Sequence, residues 1–143
     1  MRFWDGSALV PLVVAHATSS VTDTRLAAAP LPAVWTLTPV EISSAIQRLL
    51  RDGVIDDRVA EEAERRAADV VRACHVIIDV ETAKSQAQRL LRLHALRAAD
   101  ALQLAAALEW CGSRASGRVL HTLDTRLAAA ARREGFAVPP AEA

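Results

Sequence analysis

The chain alternates short apolar runs with longer amphipathic segments, and this order constrains its fold more than any other feature. Apolar runs of that kind read as strands buried on both faces. The amphipathic segments between them read as helices covering a parallel sheet. Arg2 to Trp4 is a first strand, and Gly6-Ser7 turns into a helix through Leu9, Val10, Leu12 and Val13. A second helix carries Val21, Arg25 and Leu26, and Pro30 and Pro32 close it before strand two, Ala33 to Leu37. Thr38, Pro39 and Glu41 match a capping box, opening a helix that runs to Gly53. Asp56 or Asp57 starts a long charged helix through Val71, followed by strand three, His75 to Ile78. Asp79 caps a helix from Glu81 to about Leu93, and a break at His94 to Arg97 leads into an alanine-rich helix from Ala99 to about Cys111. Arg118 to His121 is strand four, Asp124 or Thr125 opens a helix that Gly135 stops, and Phe136 to Val138 is a short last strand. The expected fold is α/β, a three-layer domain over 1–138 with a central parallel sheet of about five strands flanked by helices, and a short tail at 139–143.

A length of 143 residues suits one domain with a real core. Lys+Arg and Asp+Glu balance at 17 each, so no global field draws the chain to nucleic acid, and any basic surface must be local. Cys74 and Cys111, the only cysteines, fall among apolar neighbours and read as ordinary buried thiols. No stretch reaches the roughly 18 apolar residues that a membrane span needs, and the N-terminus enters a strand at once. A cytoplasmic protein that does not engage a membrane is the expectation.

Four acids stand where strands end or helices begin. Asp5 ends strand one, Glu41 lies in the first turn after strand two, Asp100 opens the alanine-rich helix, and Asp124 follows strand four. In open α/β sheets the carboxyl ends of the strands meet at one edge, so residues far apart in sequence converge there. Carboxylates gathered in this way repel one another unless a cation neutralises them. Mg²⁺ and Mn²⁺ prefer oxygen ligands, and Mg²⁺ keeps several waters while using few carboxylates, so this set is ample for one or two ions. Each acid also has a plainer reading. The capping box alone would account for Glu41, and a favourable helix dipole for Asp100 and Asp124. Asp5 is harder to explain, because Ser7 can do the capping beside it. The four together carry the inference.

Other chemistries find less support. His16, His75, His94 and His121 show no paired ligand spacing for zinc. Ser7 has no partner histidine in a recognisable motif, and no Gly-rich phosphate loop is present. A receiver-like phosphoacceptor domain, with Asp79 as acceptor, should carry paired acids after strand one and a lysine near the last strand, whereas Lys84 is the only lysine. A haloacid-dehalogenase-type phosphatase needs an aspartate two positions after Asp5, where Ser7 stands.

The residues around the acids come in four blocks: Phe3-Trp4-Asp5-Gly6-Ser7-Ala8-Leu9; Thr38-Pro39-Val40-Glu41; Leu96-Arg97-Ala98-Ala99-Asp100-Ala101-Leu102-Gln103-Leu104-Ala105; and Thr122-Leu123-Asp124-Thr125-Arg126-Leu127. In order and spacing they resemble the PIN-domain nucleases, most closely the VapC-type toxins of bacterial toxin-antitoxin pairs. The resemblance covers nearly the whole chain, and its third block is the most specific. It implies a metal-dependent endoribonuclease whose catalytic acids Asp5, Glu41, Asp100 and Asp124 hold Mg²⁺ or Mn²⁺, directly or through water, with Ser7 and Thr122 at small polar positions beside them. The metal would activate a water for in-line attack on the scissile phosphate, leaving a 5′-phosphate and a 3′-hydroxyl. It further implies an RNA substrate, a cognate antitoxin whose segment lies in a groove, and assembly as a homodimer and a toxin-antitoxin hetero-oligomer. The rival reading is a catalytically silent PIN-fold binding or regulatory module.

Arg89, Arg92, His94 and Arg97 lead into Asp100 and form the best local candidate for RNA contact, against a plainer reading as solvent-facing helix residues. Trp4, Trp35 and Trp110 fall in strands or an apolar helix and are assigned to core or interface. Apolar positions for an antitoxin groove or a dimer interface occur between Leu9 and Ala28 and between Asp57 and Val71.

Overall fold

A computed structural model describes residues 2–18 and 32–140. The short apolar runs become four parallel strands: β1 (Arg2–Trp4), β2 (Ala33–Trp35), β3 (His75–Ile77) and β4 (Val119–His121), ordered β3-β2-β1-β4. Among the described residues six helices connect and cover them: α1 (Gly6–Thr18), α2 (Thr38–Arg51), α3 (Asp57–Arg72), α4 (Val80–Leu93), α5 (Ala98–Trp110) and α6 (Thr125–Arg133). The helix expected around Val21 to Leu26 and the final residues 141–143 lie outside the described residues.

Period-2 alternation along each strand divides the core into two layers. Phe3, Ala33, Trp35 and Ile77 point to one face, where they meet Ala83, Leu90, Leu104 and Leu127 of α4, α5 and α6. Trp4, Val34 and Val76 point to the other, against Leu9 and Val13 of α1, Ile42 and Ile46 of α2, and Val59 and Ala63 of α3. The result is helix, sheet, helix. Alanine dominates the buried side of α5 at positions 101, 105, 106 and 107, all fully buried, so that helix can lie close to both the sheet and α4. Trp4 and Trp35 are core residues, and Trp110 lies partly buried against the core beside Phe3.

Three expectations are corrected. Among the described residues the sheet has four strands rather than about five: the segment Phe136 to Val138 contributes a single bridge between Ala137 and Val119, with Ala137 N–H donating to the Arg118 carbonyl at 2.9 Å and Leu120 N–H to the Ala137 carbonyl at 3.0 Å. Gly135 (φ 106°) turns the chain just before this bridge and Pro139 follows just after it without an N–H, so the ladder cannot lengthen. The capping box at Thr38 does not form either. α2 starts one residue earlier, Leu37 is its N-cap without a side-chain bond, and the buried Thr38 hydroxyl is engaged elsewhere. Strands two and three each stop short, β2 because Thr36 and Leu37 turn into α2 and β3 because Ile78 leaves the sheet to an exposed position.

The other helix starts follow side-chain chemistry. Asp56, Asp79 and Asp124 each accept a backbone N–H three residues on, from Val59, Thr82 and Leu127 at 2.8, 3.0 and 2.8 Å. Among the described residues no helix is long and apolar enough to cross a membrane. Cys111 is buried and Cys74 half-buried, both as free thiols, and burial pushes the Cys74 thiol up to about 11, away from reactivity.

Candidate active site

Strand order fixes where the site lies. The chain winds from β1 to β2 and β3 in one direction and then places β4 on the opposite side of β1. Connections therefore diverge at the carboxyl ends of β1 and β4, leaving a crevice there. Asp5 follows β1 and Thr122 follows β4, and the Asp5 N–H donates to the His121 carbonyl at 2.9 Å, so both residues are held at the crevice by the ladder itself.

Asp5 is only 4% exposed and is braced by two hydroxyls. Ser7 Oγ and Thr122 Oγ1 both donate to Asp5 Oδ2, at 2.5 and 2.7 Å. Each hydroxyl has one proton and has given it to the carboxylate, so each must satisfy its lone pairs as an acceptor. Ser7 accepts the Leu123 N–H at 2.9 Å and Thr122 the Asp124 N–H at 3.1 Å. Two relays thus run from the loop after β4, through hydroxyls, to one oxygen of Asp5. Burial still raises the Asp5 carboxyl above its usual range, with these bonds opposing the rise.

Glu41 faces Asp5 from the first turn of α2. A Cβ built at Gly6 would lie 3.4 Å from Glu41 Oε2, which shows how closely the start of α1 approaches this carboxylate. Instead of folding back on its own helix, Glu41 Oε2 accepts a 2.6 Å hydrogen bond from Gln103 Nε2. The same nitrogen donates to Thr38 Oγ1 at 3.1 Å. Burial first, and then the charges of Asp5 and Asp100, push the Glu41 carboxyl up to about 7 against the opposing Gln103 bond. Asp100, in the first turn of α5, is raised by burial and by Asp124 and Asp5. Asp124 lies with Asp100 on the wall of an open cleft of about 300 Å³ that Arg97, Ala99, Thr125 and Arg126 complete.

All four acids predicted from the sequence therefore interact electrostatically at one end of the sheet. Asp124 has two roles, because Oδ1 caps α6 while the residue faces the cleft. Among the described residues no three Asp, Glu, His or Cys side chains already converge closely enough to enclose an ion. The donor set nonetheless suits a hard divalent cation: it is all oxygen, burial raises the carboxyls of Asp5, Glu41 and Asp100, the last two raised also by neighbouring carboxylates, and one oxygen each of Asp5, Glu41 and Asp124 is fixed from behind by a donor.

The basic candidates separate. Arg89 is held away from the acids by Glu134 at 2.5 Å, and His94 contacts the other oxygen of the same glutamate at 3.2 Å, so both tie the end of α4 to the end of α6. Arg92 is exposed in the last turn of α4, and Arg97 lines the acidic cleft. Two residues escaped the sequence reading. Gln103 is one turn after Asp100 on an otherwise apolar helix, and that lone buried amide was the available signal. Arg126, two positions after Asp124, gave no signal apart from that proximity. No family model and no curated protein matches the chain.

Proposed function

We propose that the chain is a metal-dependent endoribonuclease of the PIN type, acting as the toxin of a type II toxin-antitoxin pair. The observation that carries this reading is the gathering of Asp5, Glu41, Asp100 and Asp124 at the topological switch of a parallel sheet, with no lysine or arginine paired to them among the described residues. Mg²⁺ or Mn²⁺ would be held by these four acids. When bound, such an ion supplies Lewis-acid activation of water and stabilises charge developing at phosphorus.

The chain's own residues set up the rest. Ser7 and Thr122 fix Asp5 and favour its ionised form against the rise that burial causes. Gln103 holds one oxygen of Glu41 in place beside its acidic neighbours Asp5 and Asp100. Hydrolysis by direct attack of water forms a new phosphorus-oxygen bond and breaks the bond to the 3′ oxygen, which leaves with a proton. The products are a 5′-phosphate and a 3′-hydroxyl, and no covalent enzyme intermediate is needed.

The same edge supports a protein partner. Leu37 and Val40 after β2, Ile78 and Val80 after β3, and Leu123 after β4 are all 45–71% exposed. RNA has little use for that apolar rim, whereas an antitoxin segment would bury it. Of the expected positions on α1 and α3, Leu9, Val13, Val59 and Ala63 pack into the core, while residues 19–28 lie outside the described residues. Cleavage of a structured RNA pool by the purified protein with Mg²⁺ or Mn²⁺, against chelator and Asp5→Asn controls, tests the activity. Metal-dependent cuts lost in both controls are expected. Metal binding without any cut across varied RNAs would favour the binding-module reading.

A further inference from the structure

Six arginines stand where helix electrostatics favour them. Arg48, Arg51, Arg72, Arg92, Arg132 and Arg133 all lie in last turns, at the negative ends of their helices. Arg97 and Arg126 break the pattern. Arg97 is the N-cap residue of α5 and makes no side-chain cap bond, and Arg126 is in the first turn of α6, so each places a cation at the positive end of a helix. Arg58 shares that position on α3 but lines no part of the acidic cleft. Among the described residues neither Arg97 nor Arg126 closes an ion pair within 4.0 Å, although Asp100 and Asp124 share their cleft. The charge of Arg97 reaches Asp100 and opposes the rise of its carboxyl, but neither arginine is explained by helix stability or by an ion pair within 4.0 Å.

We propose that Arg97 and Arg126 form a two-armed clamp for one backbone phosphate of the RNA, the one next to the scissile phosphate. The inference rests on the ribonuclease reading above. A divalent ion would offset part of the carboxylate charge, and the two guanidiniums, whose planar forks match phosphate oxygens, supply the positive charge at this rim. The cleft, about 300 Å³ and open to solvent, accommodates a phosphodiester between the two arms. Exposure of both side chains places them at the rim rather than over the acids, which suits a neighbouring phosphate better than the one under attack.

The test is binding of a labelled single-stranded oligoribonucleotide, followed by anisotropy in Mn²⁺ across a salt titration with intact RNA verified on a denaturing gel at each point, for wild type, Arg97→Ala, Arg126→Ala and the double variant. Each single variant should weaken binding roughly tenfold. The double variant should lower the slope of log affinity against log salt by about 0.7, the value for one phosphate on a single strand. Arg58→Ala should match wild type, and Mn²⁺ affinity without RNA should not fall in any variant. A double variant with wild-type affinity and slope overturns the clamp, as does a slope change of about 1.4, which means two separate phosphates. Wild-type protein that neither binds nor cuts RNA removes the ribonuclease reading and the clamp with it. Cleaving wild type with an unaffected double variant removes the clamp alone.

Discussion

Gln103 and Glu41 sit on different helices, α5 and α2, and are joined by a 2.6 Å hydrogen bond inside the protein. The bond locks the helix carrying Asp100 to the helix carrying Glu41. Gln103 is 1% exposed and also donates to Thr38, so its side chain has no alternative position in solvent. Gln103→Leu keeps similar bulk but strands the Glu41 oxygen. We expect a loss of about 1–3 kcal/mol in stability and roughly a 10- to 100-fold loss in Mn²⁺ affinity. Chemical denaturation and calorimetric Mn²⁺ titration check both, and unchanged Mn²⁺ affinity would remove Gln103 from the site.

The pH dependence of the metal-free protein follows from Glu41. Its carboxyl is raised from 4.5 to about 7, so between these values the folded state binds more protons than the unfolded state. Stability must therefore fall as pH rises through that window, and the penalty is complete above about 7. The full gap corresponds to about 3 kcal/mol, an upper bound because Glu41 is partly solvated and screened. Asp5 and Asp100 act in the same direction from lower starting values. In chelator, urea unfolding at pH 5 should give the more stable protein than at pH 7.5, and Glu41→Gln should flatten the difference. Adding Mn²⁺ at pH 7.5 should restore stability with release of protons, measurable in buffers of different ionisation enthalpy.

Asp100→Asn tests the acidic group from its other side. It removes a charge that repels Glu41, while the side chain, half-exposed in the first turn of α5, keeps its place. RNA cleavage should drop at least about a hundredfold, with a thermal midpoint in chelator equal to or above that of wild type. A variant that turns over like wild type would take Asp100 out of the chemistry.

Much of this was legible in the sequence, for identifiable physical reasons. Strand and helix order followed from hydrophobic period, and the acids were located because strand ends in a parallel sheet share an edge. What escaped depended on tertiary contact. Thr38-Pro39-Val40-Glu41 satisfies the local pattern of a capping box, yet Gln103, 62 positions beyond Glu41, takes both side chains away from it. Arg89 looked available for RNA because it lies in the segment leading into Asp100, whereas its ion-pair partner Glu134 lies 45 positions on. The fifth strand failed because its flanking glycine and prolines limit pairing to one bridge.

That ion pair separates two arginines which the sequence treated alike. Arg89 and His94 share Glu134, whose carboxyl is held below its usual range by both partners in spite of burial. Glu134→Ala should cost about 1–2 kcal/mol in stability, since it leaves the nearly buried His94 ring without that contact. Arg89→Ala should cost less than about 1 kcal/mol, because its side chain is 40% exposed, and should leave RNA affinity unchanged. Arg92→Ala should do the reverse, with weakened RNA binding at unchanged stability. Denaturation and anisotropy on the three variants decide, and a loss of RNA affinity in Arg89→Ala equal to that in Arg92→Ala would return Arg89 to the substrate surface.

Thr122→Val isolates the relay into Asp5. The substitution keeps shape but deletes the hydroxyl that donates to Asp5 Oδ2 at 2.7 Å and accepts the Asp124 N–H at 3.1 Å. One buried carboxylate oxygen loses a donor, and one backbone N–H loses its acceptor beside the α6 cap. A stability loss of about 1–3 kcal/mol is expected, larger at pH 7.5 than at pH 5, because the missing bond favours the ionised carboxylate. Thr122→Ser retains the hydroxyl and should recover most of that loss, leaving only the missing methyl contact. If Ser and Val variants were equally destabilised at both pH values, Thr122 would be a packing residue and the relay would have no bearing on the charge of Asp5.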